Sequence, residues 1–140
     1  MELKRYDGKL STIDFLDLMM LDIYGSIRHV TVPKGYITRK LLSEGIGFDA
    51  SNFGFAKVHD SDMVAIPDLA TGFVGEVQGK QVLHCLCDVT TTDDIPFAQY
   101  PRNVARATVE HLKKQKIADT AQMLVERKRS GARKGPCWQM

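Results

Sequence analysis

Phe15-Leu16-Asp17-Leu18-Met19-Met20-Leu21-Asp22 alternates in a way only an extended strand can use. Leu16, Leu18 and Met20 share one wholly apolar side; Phe15, Asp17, Met19 and Leu21 share a mixed one. Ile23-Tyr24-Gly25-Ser26 supplies a turn. Ile27-Arg28-His29-Val30-Thr31-Val32 is β-branched and alternating, and Pro33 closes it. Two such runs with a short Gly-containing connection predict a β-hairpin. The period then changes. From Lys34 to Glu44 the apolar residues Ile37, Leu41 and Leu42 recur at helical spacing, and Gly45 is a suitable stop.

Downstream the chain returns to strand signals. Met63-Val64-Ala65-Ile66 reads as a short strand closed by Pro67, and Gly72 to Val77 as a weak one. Gln78-Gly79-Lys80 is a turn, and Gln81 to Val89 a strong strand. Strand, strand, helix and then several strands predict an α+β fold, a mixed sheet with one packed helix. Residues 1 to 12 read as a polar lead-in, and Thr90 to Phe97 as an acidic linker. Tyr100-Pro101-Arg102-Asn103 opens a further helix, with proline in its first turn. Ala105, Val109 and Leu112 form its apolar stripe; Lys113, Lys114 and Lys116 suit its negative end.

Composition sets outer limits. A chain of 140 residues is one domain by prior, and 44% hydrophobic with 26% charged residues is ordinary for a globular protein. No run approaches eighteen apolar residues, and the start lacks the apolar stretch of a secretory signal. A cytoplasmic location, with no membrane association, is therefore expected. The formal charge of +2 is uneven. Arg127, Lys128, Arg129, Arg133 and Lys134 crowd into the end of the chain with no acid among them, so the rest is mildly acidic. No aromatic platform, zinc motif or helix-turn-helix pattern accompanies that cluster, so nucleic acid is not an expected partner. Residues 127–140 read as a disordered basic tail.

Three cysteines, an odd number, do not suggest a disulfide framework. Cys85 and Cys87 are two apart in a strand, so they share a face and His84 takes the other. Buried thiols suit them better than a metal site. His29 and His111 read as packing or surface residues. Gly45-Ile46-Gly47-Phe48-Asp49-Ala50 fits a dinucleotide-binding fingerprint, but it follows a helix rather than a strand, so the context that fingerprint needs is missing.

Between the first helix and the next strand lies Gly47-Phe48-Asp49-Ala50-Ser51-Asn52-Phe53-Gly54, followed by His59-Asp60-Ser61-Asp62-Met63 and Ile66-Pro67-Asp68. A polar, Gly-bounded loop anchored by structural elements commonly positions chemistry. Taken alone, Asp49 reads as a turn acid or helix cap. The order of these residues resembles the N-terminal domain of glutamine synthetase. That family carries a Phe-Asp-Gly-Ser-Ser loop, a Glu-Ser-Asp-Met step and a short strand ending in Pro-Asp. The helix at Pro101 resembles the Asp-Pro-Arg helix that opens the family's catalytic domain. The resemblance runs over about residues 13–126.

The resemblance implies a β-grasp fold for residues 13–97 and the beginning of the catalytic domain for 98–126, with a short strand over 121–126 as the family's first catalytic strand. It implies an ATP-dependent glutamate–ammonia ligase, serving glutamine biosynthesis and nitrogen assimilation, with Mg2+ or Mn2+ and ATP as cofactors of the full-length family. Asp49 would bind ammonium and accept its proton in a neighbouring subunit's site, with Ser51 and Asn52 contacting substrate. Glu126 would match the first glutamate of the family's Glu-x-Glu-Phe metal strand. Beyond Glu126 that pattern stops, which points to a shifted reading frame or split gene. Phosphoryl transfer needs clustered metal ligands and cationic groups, and this chain offers one candidate ligand. It is therefore not expected to bind the cofactors or catalyse alone. Its expected partners are itself or full-length synthetase subunits, in a homo-oligomer, and its orphaned helix should promote association. The alternative is a non-catalytic assembly module or inactive remnant. Ala50 stands where the family has glycine, Asn52 where it has serine, and Phe55-Ala56 where Gly-Trp is common, which suits a branch acting on another amine.

Overall fold

Alternation in the first hairpin is realised as two antiparallel strands, β1 (Phe15–Leu21) and β2 (Ile27–Pro33), in a computed structural model that describes residues 10–54 and 61–120, with only the backbone of Asn52. Helix α1 (Arg39–Glu44) follows, then β3 (Ile46–Asp49), β4 (Asp62–Pro67), β5 (Phe73–Val77), β6 (Lys80–Thr91) and helix α2 (Pro101–Lys114). The six strands form one mixed sheet in the order β2-β1-β6-β4-β3, with β5 also paired to β6. The only parallel pair among them is β1 with β6, which sets Leu16 beside Leu83 and Asp17 beside His84. One compact unit extends to Thr108 and a second begins at Val109.

One face of the sheet carries the core. Leu16, Leu18, Met20, Leu83, Cys85, Cys87 and Val89 are fully buried there, joined by Val32, Met63 and Ala65. Cys85 and Cys87 are free thiols on this face, as their spacing predicts. Their hydrogen-bonded proximity and burial push the Cys87 thiol far up, so it stays protonated and inert.

The helix expected from Lys34 to Glu44 is shorter. Lys34–Tyr36 form a single 3-10 turn, and Ile37 and Thr38 are extended. Thr38 instead caps α1, its hydroxyl accepting the Leu41 amide at 3.1 Å. Leu42 is buried, while Ile37 and Leu41 pack at the margin of the core. Gly45 ends the helix with φ +85°, and a Cβ there would lie 2.4 Å from the Ala65 carbonyl oxygen. Both conformation and space demand glycine. Gly45→Ala will cost about 2–4 kcal/mol, read from urea unfolding.

Strand β6 also overruns its expected end, continuing to Thr91. What reads as an acidic linker therefore begins as sheet. It then returns to the core through Phe97, whose amide donates to the Val89 carbonyl at 2.9 Å. Tyr100 is fully buried, and its hydroxyl donates to the Cys87 carbonyl at 2.9 Å. Asn103 donates to the Val89 and Phe97 carbonyls. Arg102 bonds Asp68 at 2.6 Å, and Arg106 bonds both oxygens of Asp88 at 3.1 Å. The first turns of α2 are thereby tied to β6 and the β4–β5 connection. No residue of α2 is buried. The short strand expected at 121–126 and the basic tail at 127–140 lie outside the described residues.

At the β1–β2 turn, Asp22 is 1% exposed. Its carboxylate accepts the Tyr24 and Ser26 amides at 2.9 and 2.8 Å and the Arg28 guanidinium at 2.9 Å. Burial pushes its pKa up, but the Ser26 amide and Arg28 outweigh this and hold it below the usual carboxylate value. A depressed folded pKa stabilises above the unfolded value, and the contribution is lost as pH falls through the folded one. Asp22→Ala will lower the melting temperature at pH 7, and the gap to the parent will narrow below about pH 4. Melting curves from pH 2 to 7 check this.

Candidate functional site

The stretch after α1 is better ordered than a loop. Its first part, Ile46–Asp49, is β3, which pairs antiparallel with β4. Gly45 and Gly47 hide this strand from a propensity reading, because glycine weakens strands. A 3-10 turn, Ala50–Phe53, follows and ends at Gly54 with φ +75°. Ala50 is fully buried, and its amide donates to the Ser61 carbonyl at 2.8 Å. It is not among the non-glycine residues with positive φ, so alanine fits the turn without strain. Phe53 is buried edge-on against Phe48, with ring centroids 5.0 Å apart. These anchors fix the polar tip.

Asp49 is exposed rather than buried. It caps the 3-10 turn, its Oδ1 accepting the Ser51 amide at 2.8 Å. The Ser51 hydroxyl, the Ser51 amide and the Ser61 hydroxyl hold its carboxyl below the ordinary value. Asp49 therefore stays ionised from neutral pH well into acid. The cap reading of Asp49 holds: capping orients the carboxylate and keeps it charged.

The strand pairing brings a second acid here that the sequence reading did not single out. Asp62 lies directly opposite Asp49 in the β3–β4 register, and both are exposed. Residues so paired have Cβ atoms about 4.5–5.5 Å apart, and like charges there repel. The signal was the Ser61-Asp62-Met63 step, whose acid opens β4; its pairing became visible only with β3 in place. Ser51 is half-buried beside Asp49, and Asn52 sits in the turn's backbone. Glu126 lies outside the described residues. Among the described residues no group of three or more His, Cys, Asp or Glu could hold a metal ion. Asp49 and Asp62 thus form an exposed pair of acids at the β3–β4 edge.

The family described as "Glutamine synthetase, beta-Grasp domain" matches residues 12–92. The chain belongs to this family. Glutamine synthetase of Helicobacter pylori strain 26695 is 33% identical over 115 residues, which cover 81% of this chain and 24% of that protein. The Escherichia coli K12 glutamine synthetase is 31% identical over 110 residues, covering 77% and 24%. The chain thus spans about a quarter of the curated relatives it matches. Among solved structures, a Plasmodium falciparum glutamine synthetase superposes with a TM-score of 0.72 at 22% identity, covering 82% of this chain and 23% of that one. A complex titled GmaS/ADP superposes at 0.67 and 22%, covering 82% and 26%. At such identities the superpositions establish the fold, a six-stranded mixed sheet of the glutamine synthetase β-grasp type. No described helix is long and apolar enough to cross a membrane.

Proposed function

We propose that this glutamine synthetase β-grasp domain supplies one edge of a composite glutamate–ammonia ligase site in the cytoplasm. The observation that carries the reading is the cross-strand pair Asp49 and Asp62, with Asp49 held ionised by Ser51 and Ser61. Two neighbouring carboxylates favour ammonium over ammonia, because the charged form is stabilised by opposite charge. A carboxylate within reach can take a proton from the ammonium, and the ammonia so formed can attack an acyl phosphate, forming the amide C–N bond as the acyl C–O bond breaks and phosphate leaves. Ser51 and Asn52 would position the substrate. In this reading residues 13–97 are the β-grasp domain and 98–126 begin the catalytic domain, where Glu126 would be a metal ligand. ATP and Mg2+ or Mn2+ would be held by the remainder of a synthetase subunit.

The partner is therefore a second synthetase subunit, the same or full-length. The test is co-assembly. The chain is mixed with a synthetase catalytic domain lacking its own N-terminal domain, and the mixture is sedimented. Co-migration is expected. Separate sedimentation at tens of micromolar would overturn the reading.

A further inference from the structure

The outer face of the sheet, opposite the core, holds a feature unrelated to the Asp49 edge. Three strands are joined there through one carboxylate. Asp17 on β1 is 5% exposed and meets His29 Nδ1 on β2 at 2.9 Å and His84 Nδ1 on β6 at 2.8 Å. An ionised carboxylate only accepts hydrogen bonds, so both rings carry a proton on Nδ1 and each tautomer is fixed. Phe73 of β5 stacks on His84 with centroids 4.9 Å apart and planes 19° apart. Beside this cluster lies a cavity of about 330 Å³. Phe15, Val77 and Val82 give it apolar walls, and Thr31, Gln78 and Lys80 add donors.

The rings do not make a shared metal site. His84 Nε2 lies where a Cβ on Gly75 would come within 3.3 Å, so it faces β5, away from the strand that carries His29. Among the described residues no group of three or more His, Cys, Asp or Glu is placed to hold a metal ion. What remains is a mostly apolar hollow with a few fixed polar groups, the usual make-up of a small-molecule site. Asp17 is its one acid and Lys80 its one permanent cation. Strand alternation puts Glu76 on the opposite face from Phe73, Gly75 and Val77.

We propose that this hollow binds a small carboxylate with a flat apolar body. The body lies against Phe15, Val77 and Val82, and the carboxylate meets Lys80 with help from Gln78 or Thr31.

Benzoate is the probe, titrated into the full chain and followed by amide NMR shifts. Saturable shifts are expected at Phe15, Thr31, Val77, Lys80 and Val82. Lys80→Ala, at an exposed position that leaves folding unaffected, should weaken binding about fivefold or more, as expected for a hydrogen bond to a charged group. Absence of saturable shifts, shifts located elsewhere, or equal affinity in Lys80→Ala would each overturn the proposal.

Discussion

Tyr100→Ala will cost about 3–5 kcal/mol, the range for deleting a buried aromatic side chain. Tyr100 is fully buried among the core residues although it lies nine residues beyond the end of β6. It also fills two hydrogen-bonding roles, donating to the Cys87 carbonyl and accepting the Leu21 amide at 3.4 Å. Truncation opens a cavity and leaves polar groups from two strands unpaired. Burial pushes the Tyr100 phenol pKa up, so it remains a neutral donor at any pH at which the protein is handled. Tyr100→Phe keeps the ring and loses only the hydroxyl, and should cost about 1 kcal/mol. The contrast separates packing from hydrogen bonding. Thermal melts should show a drop of about 12 °C or more for alanine, given 4–8 °C per kcal/mol in a domain of this size. A small loss for alanine would mean that Tyr100 is peripheral.

Asp49→Asn will leave the melting temperature nearly unchanged yet lower kcat/KM for glutamine formation about a hundredfold or more in the complemented assembly, the scale of a lost general base. The side chain is exposed, and asparagine keeps an oxygen for the Ser51 amide. What disappears is the negative charge. Under the proposed composite site, Asp62→Asn should chiefly raise the KM for ammonium, because it removes one of the two paired acids and leaves Asp49 in place. Equal activity of Asp49→Asn and parent would mean that the capping role of Asp49 is its whole role.

Much of this architecture is legible in the residues themselves. Alternation in Phe15–Leu21 and Ile27–Val32 specifies the hairpin, and the spacing of Cys85 and Cys87 places both thiols in the core with His84 outside. The Gln78-Gly79 turn has φ of +52° and +75°, the positive pair a tight hairpin requires. Other parts are hidden for physical reasons. Strand β3 is only four residues long, contains Gly47 and follows Gly45, and is held by pairing with β4 rather than by propensity. The helical spacing of Ile37, Leu41 and Leu42 extends further back than α1 does, because Thr38 is more useful as a cap than inside the helix. His29 looks solitary in sequence. Its partner Asp17 is twelve residues away, and Asp17 reaches a third group, His84, only through the parallel β1–β6 pairing. The same limit applies to the candidate site. The turn-acid reading of Asp49 is legible in its loop, whereas Asp62 needs a strand register to become its neighbour.

The most direct test of the composite-site account is glutamine formation from ATP, Mg2+, glutamate and ammonium. It is measured with the chain alone, with a synthetase catalytic domain lacking its N-terminal domain alone, and with the two mixed. The account predicts product only in the mixture, rising to saturation as the chain is added. Product from the chain alone, or none from a mixture shown to co-assemble, would contradict it.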